Sequence, residues 1–259
     1  MDISIFFYYS PIVFLLGICV GSFLNVIVDR VPKNLSIIVS RSNCDFCHKN
    51  LSPLDLIPII SFVLLKGKCR FCHKKLSFYY PLVEITTGIV FLINFLVFQN
   101  YYQMMFAQVV SASLIAIFFT DLKYGLIPDK ITYTTVLFIL LYSPLIRTQK
   151  LFLEDIIVAS FIAIFFLFTV IFTKGKGMGG GDVKYAFLIG IILGWQRALL
   201  SIFLSFVLGG LAGIILILFG KKRFGQTIPF GPFLSLATYI SLISGDKILD
   251  FYLKNILNI

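Results

Sequence analysis

The chain has 259 residues, of which 59% are apolar and only 13% charged, and its mean hydropathy is +0.97; a water-soluble domain carries about a quarter of its residues as charge. An ordinary soluble globule is therefore excluded. The formal charge of +10 would suggest a nucleic-acid partner in a soluble protein, but no aromatic-interleaved basic stripe or recognition-helix pattern accompanies it. No nucleic acid is expected, and the basic residues are read against a lipid bilayer instead.

A hydrocarbon core about 30 Å thick needs about 20 mostly apolar residues in a helix. Apolar runs occur at Pro11 to Val28, Tyr80 to Phe98, Met104 to Thr120, Thr132 to Leu145, Ile156 to Thr173, Tyr185 to Trp195, Ala198 to Phe219 and Phe230 to Ser244. They predict an all-α, polytopic bundle of about eight transmembrane helices. The runs at Tyr185 to Trp195 and Phe230 to Ser244 are short for a lone crossing, so neighbouring helices should shield them. Only Asp2 precedes the first run as a charge, and no small-residue cleavage site ends it; it reads as a retained span. Cys19 within it reads as a small buried hydrophobe, since Ile18 stands where a lipid-attachment cysteine wants a small residue.

The alternate loops divide the Lys and Arg residues unequally, 17 of the 22 falling on the side that holds Arg30 to Lys75, Lys123, Lys130, Lys174, Lys176, Lys184 and Lys221 to Arg223. The other side has Arg147, Lys150, Arg197, Lys247 and Lys254. Basic loops stay in the cytoplasm, which puts both termini outside.

Between residues 29 and 79 lies a cytoplasmic four-cysteine loop. It contains a repeat, Asn43 to Ser52 and Lys68 to Ser77, offset by 25 positions. Each copy is a CxxC knuckle, so Cys44, Cys47, Cys69 and Cys72 follow the pattern CxxC, 21 intervening residues, CxxC. Two such turns can close a tetrahedral thiolate cage, and structural zinc is the expected occupant. Disulfides are disfavoured in the reducing cytoplasm. Covalent haem would use the CxxCH reading with His48 and His73, but the chain offers no obvious distal ligand. An iron–sulfur cluster would use the same four sulfurs and stays open on sequence alone. A closed zinc site has no open position for water, so the metal is expected to staple the loop and do no chemistry.

With 12 acidic residues in the chain, position is informative. Asp121 ends the third apolar run, and Asp182 opens the sixth after Gly177-Met-Gly-Gly-Gly181. Carboxylates at the bilayer edge are costly unless paired, hydrated or functional. If their helices pack together, the two come to the same depth and could share one proton, one activating a water and the other polarising a scissile carbonyl. That is aspartic-protease chemistry. Glycines without Cβ would let a substrate backbone approach. Read singly, Asp121 could be a helix-end partner of Lys123, and Asp182 a helix cap. Asp129 competes with Asp121 for the catalytic place on the same side but, after Pro128, reads more as a turn residue or cap, and Glu84 as a structural partner or a cleft-lining acid. The chain has no HExxH, and its two histidines adjoin cysteines, so zinc-dependent hydrolysis and a Ser-His-Asp triad are poorly supported.

Taken in order, GSFLNVIVDRVP from Gly21 to Pro32, the double CxxC loop, DLIP from Asp55, GKC from Gly67, YPLVE from Tyr80 to Glu84, Asp121 to Asp129, GMGGGDVK from Gly177 and PFGPF from Pro229 closely resemble the prepilin peptidases, or type IV leader peptidases, membrane aspartic proteases of the GxGD type. The resemblance implies that Asp121 and Asp182 are the catalytic pair. It implies removal of a short basic leader from prepilin or pseudopilin substrates at the cytoplasmic face of the bacterial plasma (inner) membrane. Many members with the four-cysteine loop also methylate the new N-terminal amine with S-adenosylmethionine, and Gly67 would then belong to the region needed for methylation. The implied domains are residues 1–28 as a first transmembrane helix, 29–79 as the cytoplasmic loop, and 80–259 as the transmembrane peptidase domain.

A small transporter or membrane scaffold is the rival reading. It predicts mid-span acids and an inverted repeat, and the sequence displays neither. A thiol-based redox protein is the third. The basic leader of a substrate would be repelled by the inward surplus of positive charge, so Asp55, Asp121, Asp129 and Asp182 are expected to make the substrate cleft locally negative.

Overall fold

The computed structural model describes residues 3–37, 41–175, 177–223 and 226–255. Asp2, used above in reading the first run as a retained span, and Lys176, used for the sidedness, lie outside them. Among the described residues the regular structure is helical, apart from two isolated antiparallel bridges, Asn43 with Asn50 and Lys68 with Lys75. The helices are α1 (Ile3–Arg30), the short α2 (Ile60–Leu64), α3 (Tyr79–Val97), α4 (Tyr101–Tyr124), α5 (Asp129–Tyr142), α6 (Gln149–Phe172), α7 (Gly180–Leu193), α8 (Trp195–Leu218) and α9 (Gly231–Asn255).

Each of the eight apolar runs falls mainly on one of these helices, though Thr132 to Leu145 ends in a separate 3-10 turn at Ser143–Leu145 and Tyr185 to Trp195 reaches the first residue of α8; α2 belongs to the loop. Five segments are long and apolar enough to cross a membrane: Tyr8–Arg30, Tyr79–Val97, Tyr101–Tyr124, Lys150–Phe172 and Trp195–Leu218. The other three fall short for different reasons. Helices α5 and α7 have 14 residues each, or about 21 Å at about 1.5 Å per residue. Helix α9 has length enough but carries Asp246, Lys247, Asp250 and Lys254 in its second half.

The chain forms two compact units, Met1–Ala116 and Ile117–Ile259, the division falling within α4. In the first, α1 packs along α3 at very short range. A Cβ added to Gly17 would lie 2.8 Å from the Gly88 Cα, and one on Gly21 would lie 2.7 Å from the Glu84 Cα. Gly17 and Gly21 form a GxxxG pair, which in lipid lets two backbones meet where no hydrophobic force would otherwise draw them together. Helices α3 and α4 are joined by buried amides: Asn94 Nδ2 donates to Gln108 Oε1 at 3.2 Å and to Ser111 Oγ at 3.0 Å, and Gln108 Nε2 donates to the Phe91 carbonyl at 3.0 Å.

In the second unit the short α7 is the most enclosed element. Asp182, Tyr185, Ala186 and every residue from Leu188 to Leu193 are buried. The shielding expected for this short run is met by α6 on one side, where a Cβ on Gly190 would come within 2.4 Å of the Ala159 Cα, and by α5, α8 and α9. Helix α6 presents Phe161, Phe165, Phe168 and Phe172 outward, as suits contact with acyl chains. Two of the five basic residues assigned to the outer side are ion-paired: Arg147 with Asp155, and Arg197 with Asp246.

Candidate active site and metal centre

Helix α4 ends where Gly125 takes φ +66° and its N–H closes on the Asp121 carbonyl at 2.8 Å. Pro128 then caps α5 at its N-terminus. Asp121 thus sits in the last turn of α4, and only 5% of its surface is exposed. Its Oδ2 accepts the backbone N–H of Gly231, the first residue of α9, at 2.8 Å. Nothing larger than glycine fits there, because a Cβ at 231 would lie 2.6 Å from that oxygen.

Asp182 lies in the first turn of α7 and is 8% exposed. Its Oδ2 accepts the Gly179 N–H at 2.9 Å, so the side chain does cap the helix, from its third position. Gly181 allows the Asp121–Asp129 turn to close on this helix start, a Cβ there standing 3.2 Å from the Ile127 Cβ. The two carboxylates are near enough for the Asp121 charge to act on Asp182. Both acids are buried, and each is held on one oxygen by a single backbone N–H.

Behind them runs a hydrogen-bonded chain that sequence reasoning missed. Ser235 Oγ donates to the Gly231 carbonyl at 2.9 Å, and the Tyr185 hydroxyl lies 2.7 Å from Ser235 Oγ. Since the serine proton is committed to the carbonyl, Tyr185 is the donor to serine. Tyr185 is one turn along α7 from Asp182 and wholly buried, so the chain ties α7 to the residue that orients Asp121. The PFGPF string held Gly231 in plain view, but nothing in its composition pointed to a partner on α4.

Asp129 is half-exposed, and both its oxygens take Lys184 Nζ, at 2.7 and 2.8 Å. Asp55 pairs with Arg70 at 2.8 Å. Two of the four acids expected to make a cleft negative thus have their charge offset by a basic partner.

The cysteine loop displays its repeat as structure. The Cys44 N–H bonds to the Lys49 carbonyl at 3.0 Å, and the Cys69 N–H to the Lys74 carbonyl at 2.9 Å. His48 and His73 follow with φ of 56° and 54°. The copies also exchange side chains: Lys49 of the first lies over the Phe71 ring of the second at 5.3 Å, and Lys74 of the second over Phe46 of the first at 4.9 Å. The sulfurs of Cys44, Cys47, Cys69 and Cys72 all lie within 4.8 Å of one another. None is in a disulfide. Backbone N–H groups of Cys72 and Phe71 aimed at Cys69 hold its thiol down to about 7, giving thiolate near neutral pH. Four converging sulfurs fit a tetrahedral dication such as zinc. Gly67 precedes the second knuckle with φ +66°, its N–H on the Phe62 carbonyl at 2.8 Å and its own carbonyl taking the Leu76 N–H at 2.8 Å.

Residues 15–98 match the Bacterial Peptidase A24 N-terminal domain, and residues 108–214 match the Type IV leader peptidase family. The chain is 34% identical to the prepilin leader peptidase/N-methyltransferase of Bacillus subtilis (strain 168), covering 94% of this chain and 97% of that protein. It is 31% identical to the protein of the same name from Aeromonas salmonicida (strain A449), covering 96% and 95%, and 31% identical to that of Pseudomonas aeruginosa, covering 93% and 92%. No solved structure matches. The four-cysteine loop falls inside the first matched region and both buried aspartates inside the second, and the chain belongs to the type IV leader peptidase family, a family of enzymes.

Proposed function

We propose that this protein is a membrane aspartic endopeptidase that removes the short basic leader from prepilin or pseudopilin substrates, with Asp121 and Asp182 as its catalytic pair. The observation that carries the reading is the burial of these two like-charged groups within one unit, the Asp121 charge bearing on Asp182 and each acid leaving one oxygen clear of its backbone N–H partner. Two such carboxylates ionise in separate steps, so near neutrality they hold one proton between them. The ionised member takes a proton from a water whose oxygen bonds to the scissile carbonyl carbon. The protonated member gives its proton to the carbonyl oxygen; the tetrahedral species then collapses as the first carboxylic acid passes the water's proton to the leaving nitrogen and the second carboxylate takes back the hydroxyl proton, releasing the amine of the mature protein.

The proposed orientation puts the 17-residue basic side, and with it the knuckles and both aspartates, at the cytoplasmic face, with eight spans completed by α5, α7 and α9. Zinc is the proposed occupant of the thiolate cage, with a structural role. Gly67 supports that role by setting the turn into the second knuckle. N-Methylation of the new terminus is the proposed second activity, in keeping with the names of the relatives. S-Adenosylmethionine would supply the methyl group to the amine of the processed protein.

The test is reconstitution of the protein with a prepilin carrying its leader, read by the size shift on cleavage. Asp121→Asn and Asp182→Asn each preserve shape and should abolish cleavage while the protein stays folded. Normal-rate cleavage by either variant would remove that residue from the mechanism. A transporter or scaffold would cleave nothing, whichever variant is used.

A further inference from the structure

Lys184 and Asp129 form an ion pair that the proposed hydrolysis does not use. Lys184 Nζ reaches both oxygens of Asp129, at 2.7 and 2.8 Å, and lies 5.6 Å from the centre of the Tyr133 ring. Asp129 and Tyr133 are four residues apart on α5, so the carboxylate and the ring stand on one face of that helix, one turn from each other. Together they make a cation site with a negative charge on one side and an aromatic face on the other. The site is open to its surroundings, the Asp129 side chain being 56% exposed and that of Lys184 39%.

Its position ties it to the catalytic pair. Lys184 follows Asp182 by two residues on α7, about 3 Å along the helix axis. Asp129 begins α5, and the turn that delivers it from Asp121 packs through Ile127 against Gly181, the neighbour of Asp182. An extended chain covers about 3.3 to 3.6 Å per residue, so a few residues of substrate lead from the aspartates to this site.

Charge singles out Asp129. The second unit has seven acids, of which Glu154 and Asp155 on α6 and Asp246 and Asp250 on α9 lie toward the other end, where Asp155 meets Gly194 just past the last turn of α7. Of the three at the catalytic end, Asp121 and Asp182 are buried and Asp129 is the exposed one. An exposed ion pair contributes little to stability, and its partners exchange readily. Lys184 thus fills a place that a second ammonium or a guanidinium can take.

We propose that Asp129, backed by the Tyr133 ring, is the subsite that reads a lysine or arginine of the substrate's leader, and that Lys184 is the internal cation that fills it until the leader displaces it. A basic leader then meets a carboxylate on a surface whose net charge would otherwise repel it. A leader without the basic residue leaves the internal pair closed. The inference rests on the peptidase reading above and adds to it a residue that selects the substrate.

The experiment uses the full-length protein in detergent and two prepilins that differ only in the leader, one with its basic residues and one with glutamine in their place. The unaltered protein should favour the basic leader, chiefly through KM. Asp129→Asn should reduce that preference about fivefold or more. Lys184→Met, which keeps the stem and removes the competing ammonium, should lower KM for the basic leader several-fold. A pair that only joins α5 to α7 predicts equal losses on both leaders, with the preference unchanged. A second readout leaves the pair intact. Carbodiimide couples a lysine to a carboxylate in contact with it, so the substrate-free protein should give a link between 129 and 184. Adding the basic prepilin to Asp121→Asn, which should bind without cutting, should replace that link by one from a leader lysine to Asp129. An unchanged preference in Asp129→Asn, or a 129–184 link that persists at saturating prepilin while the leader couples elsewhere, overturns the proposal and leaves the peptidase reading standing. Cleavage of neither leader by the unaltered protein would instead remove the peptidase reading, and this subsite with it.

Discussion

The Gly231 N–H and the Asp121 carboxylate meet at 2.8 Å across 110 positions of sequence. The bond fixes one oxygen of a buried acid with a backbone group that cannot rotate away, so the other oxygen has a defined direction. It also makes residue 231 intolerant of any side chain. In Gly231→Ala the new methyl would stand 2.6 Å from Oδ2 and 3.0 Å from Cγ of Asp121. The carboxylate must swing aside. The expected result is at least about a tenfold loss of cleavage rate, equivalent to about 1.4 kcal/mol of transition-state stabilisation, with thermal stability in detergent changed much less. Retained activity in Gly231→Ala would show that the orientation of Asp121 does not matter.

Tyr185→Phe tests the chain behind that bond. The change removes the donor to Ser235 Oγ and leaves a buried serine acceptor unmet, at a cost of about 1 kcal/mol. Ser235 still bonds to the Gly231 carbonyl. Cleavage should therefore fall several-fold and remain measurable, and Ser235→Ala should add little when combined with it, because both act on one chain. A fully additive double variant would separate the two residues.

The α1–α3 crossing makes a prediction about stability alone. Gly17 and Gly88 approach so closely that a Cβ on either has nowhere to go, being 2.8 Å from backbone in one case and 2.9 Å from Ile18 and Phe14 in the other. Gly17→Val should cost about 3 kcal/mol, the upper end for overpacking, since backbone cannot yield as a side chain does. The check is thermal unfolding in detergent together with proteolysis of the cysteine loop, which α1 and α3 flank.

Metal content should be one equivalent per chain. Cobalt substitution should give the intense visible bands of a tetrahedral thiolate site, and Cys44→Ser with Cys69→Ser should abolish both the metal and the bands. Loss of metal should open residues 43–77 to protease, because the sulfurs, together with two Lys–Phe pairs, hold the knuckles to each other. Cleavage of a prepilin by the metal-free protein would confine the loop to support or methylation.

Much of this protein follows from residue order alone. A bilayer demands long apolar helices, so composition and run length yield the all-helical class and the approximate positions of eight helices, and loop charge yields a proposed sidedness. The 25-residue repeat foretells two like knuckles because a CxxC turn is a local structure, complete within a few residues. The acids at 121 and 182 stand out because charge is rare in this chain.

Tertiary structure decides what depends on contacts between distant segments. Periodicity has no means of specifying that α7, short for a crossing, is buried on nearly all sides, that Gly231 is the partner of Asp121, or that Tyr185 reaches Ser235 on α9. The Asn25 side chain is the clearest case. In the sequence Asn25 is one polar residue in an apolar run, and only the packing of α3 against α1 commits its amide nitrogen to Tyr80 and leaves its oxygen facing a cavity.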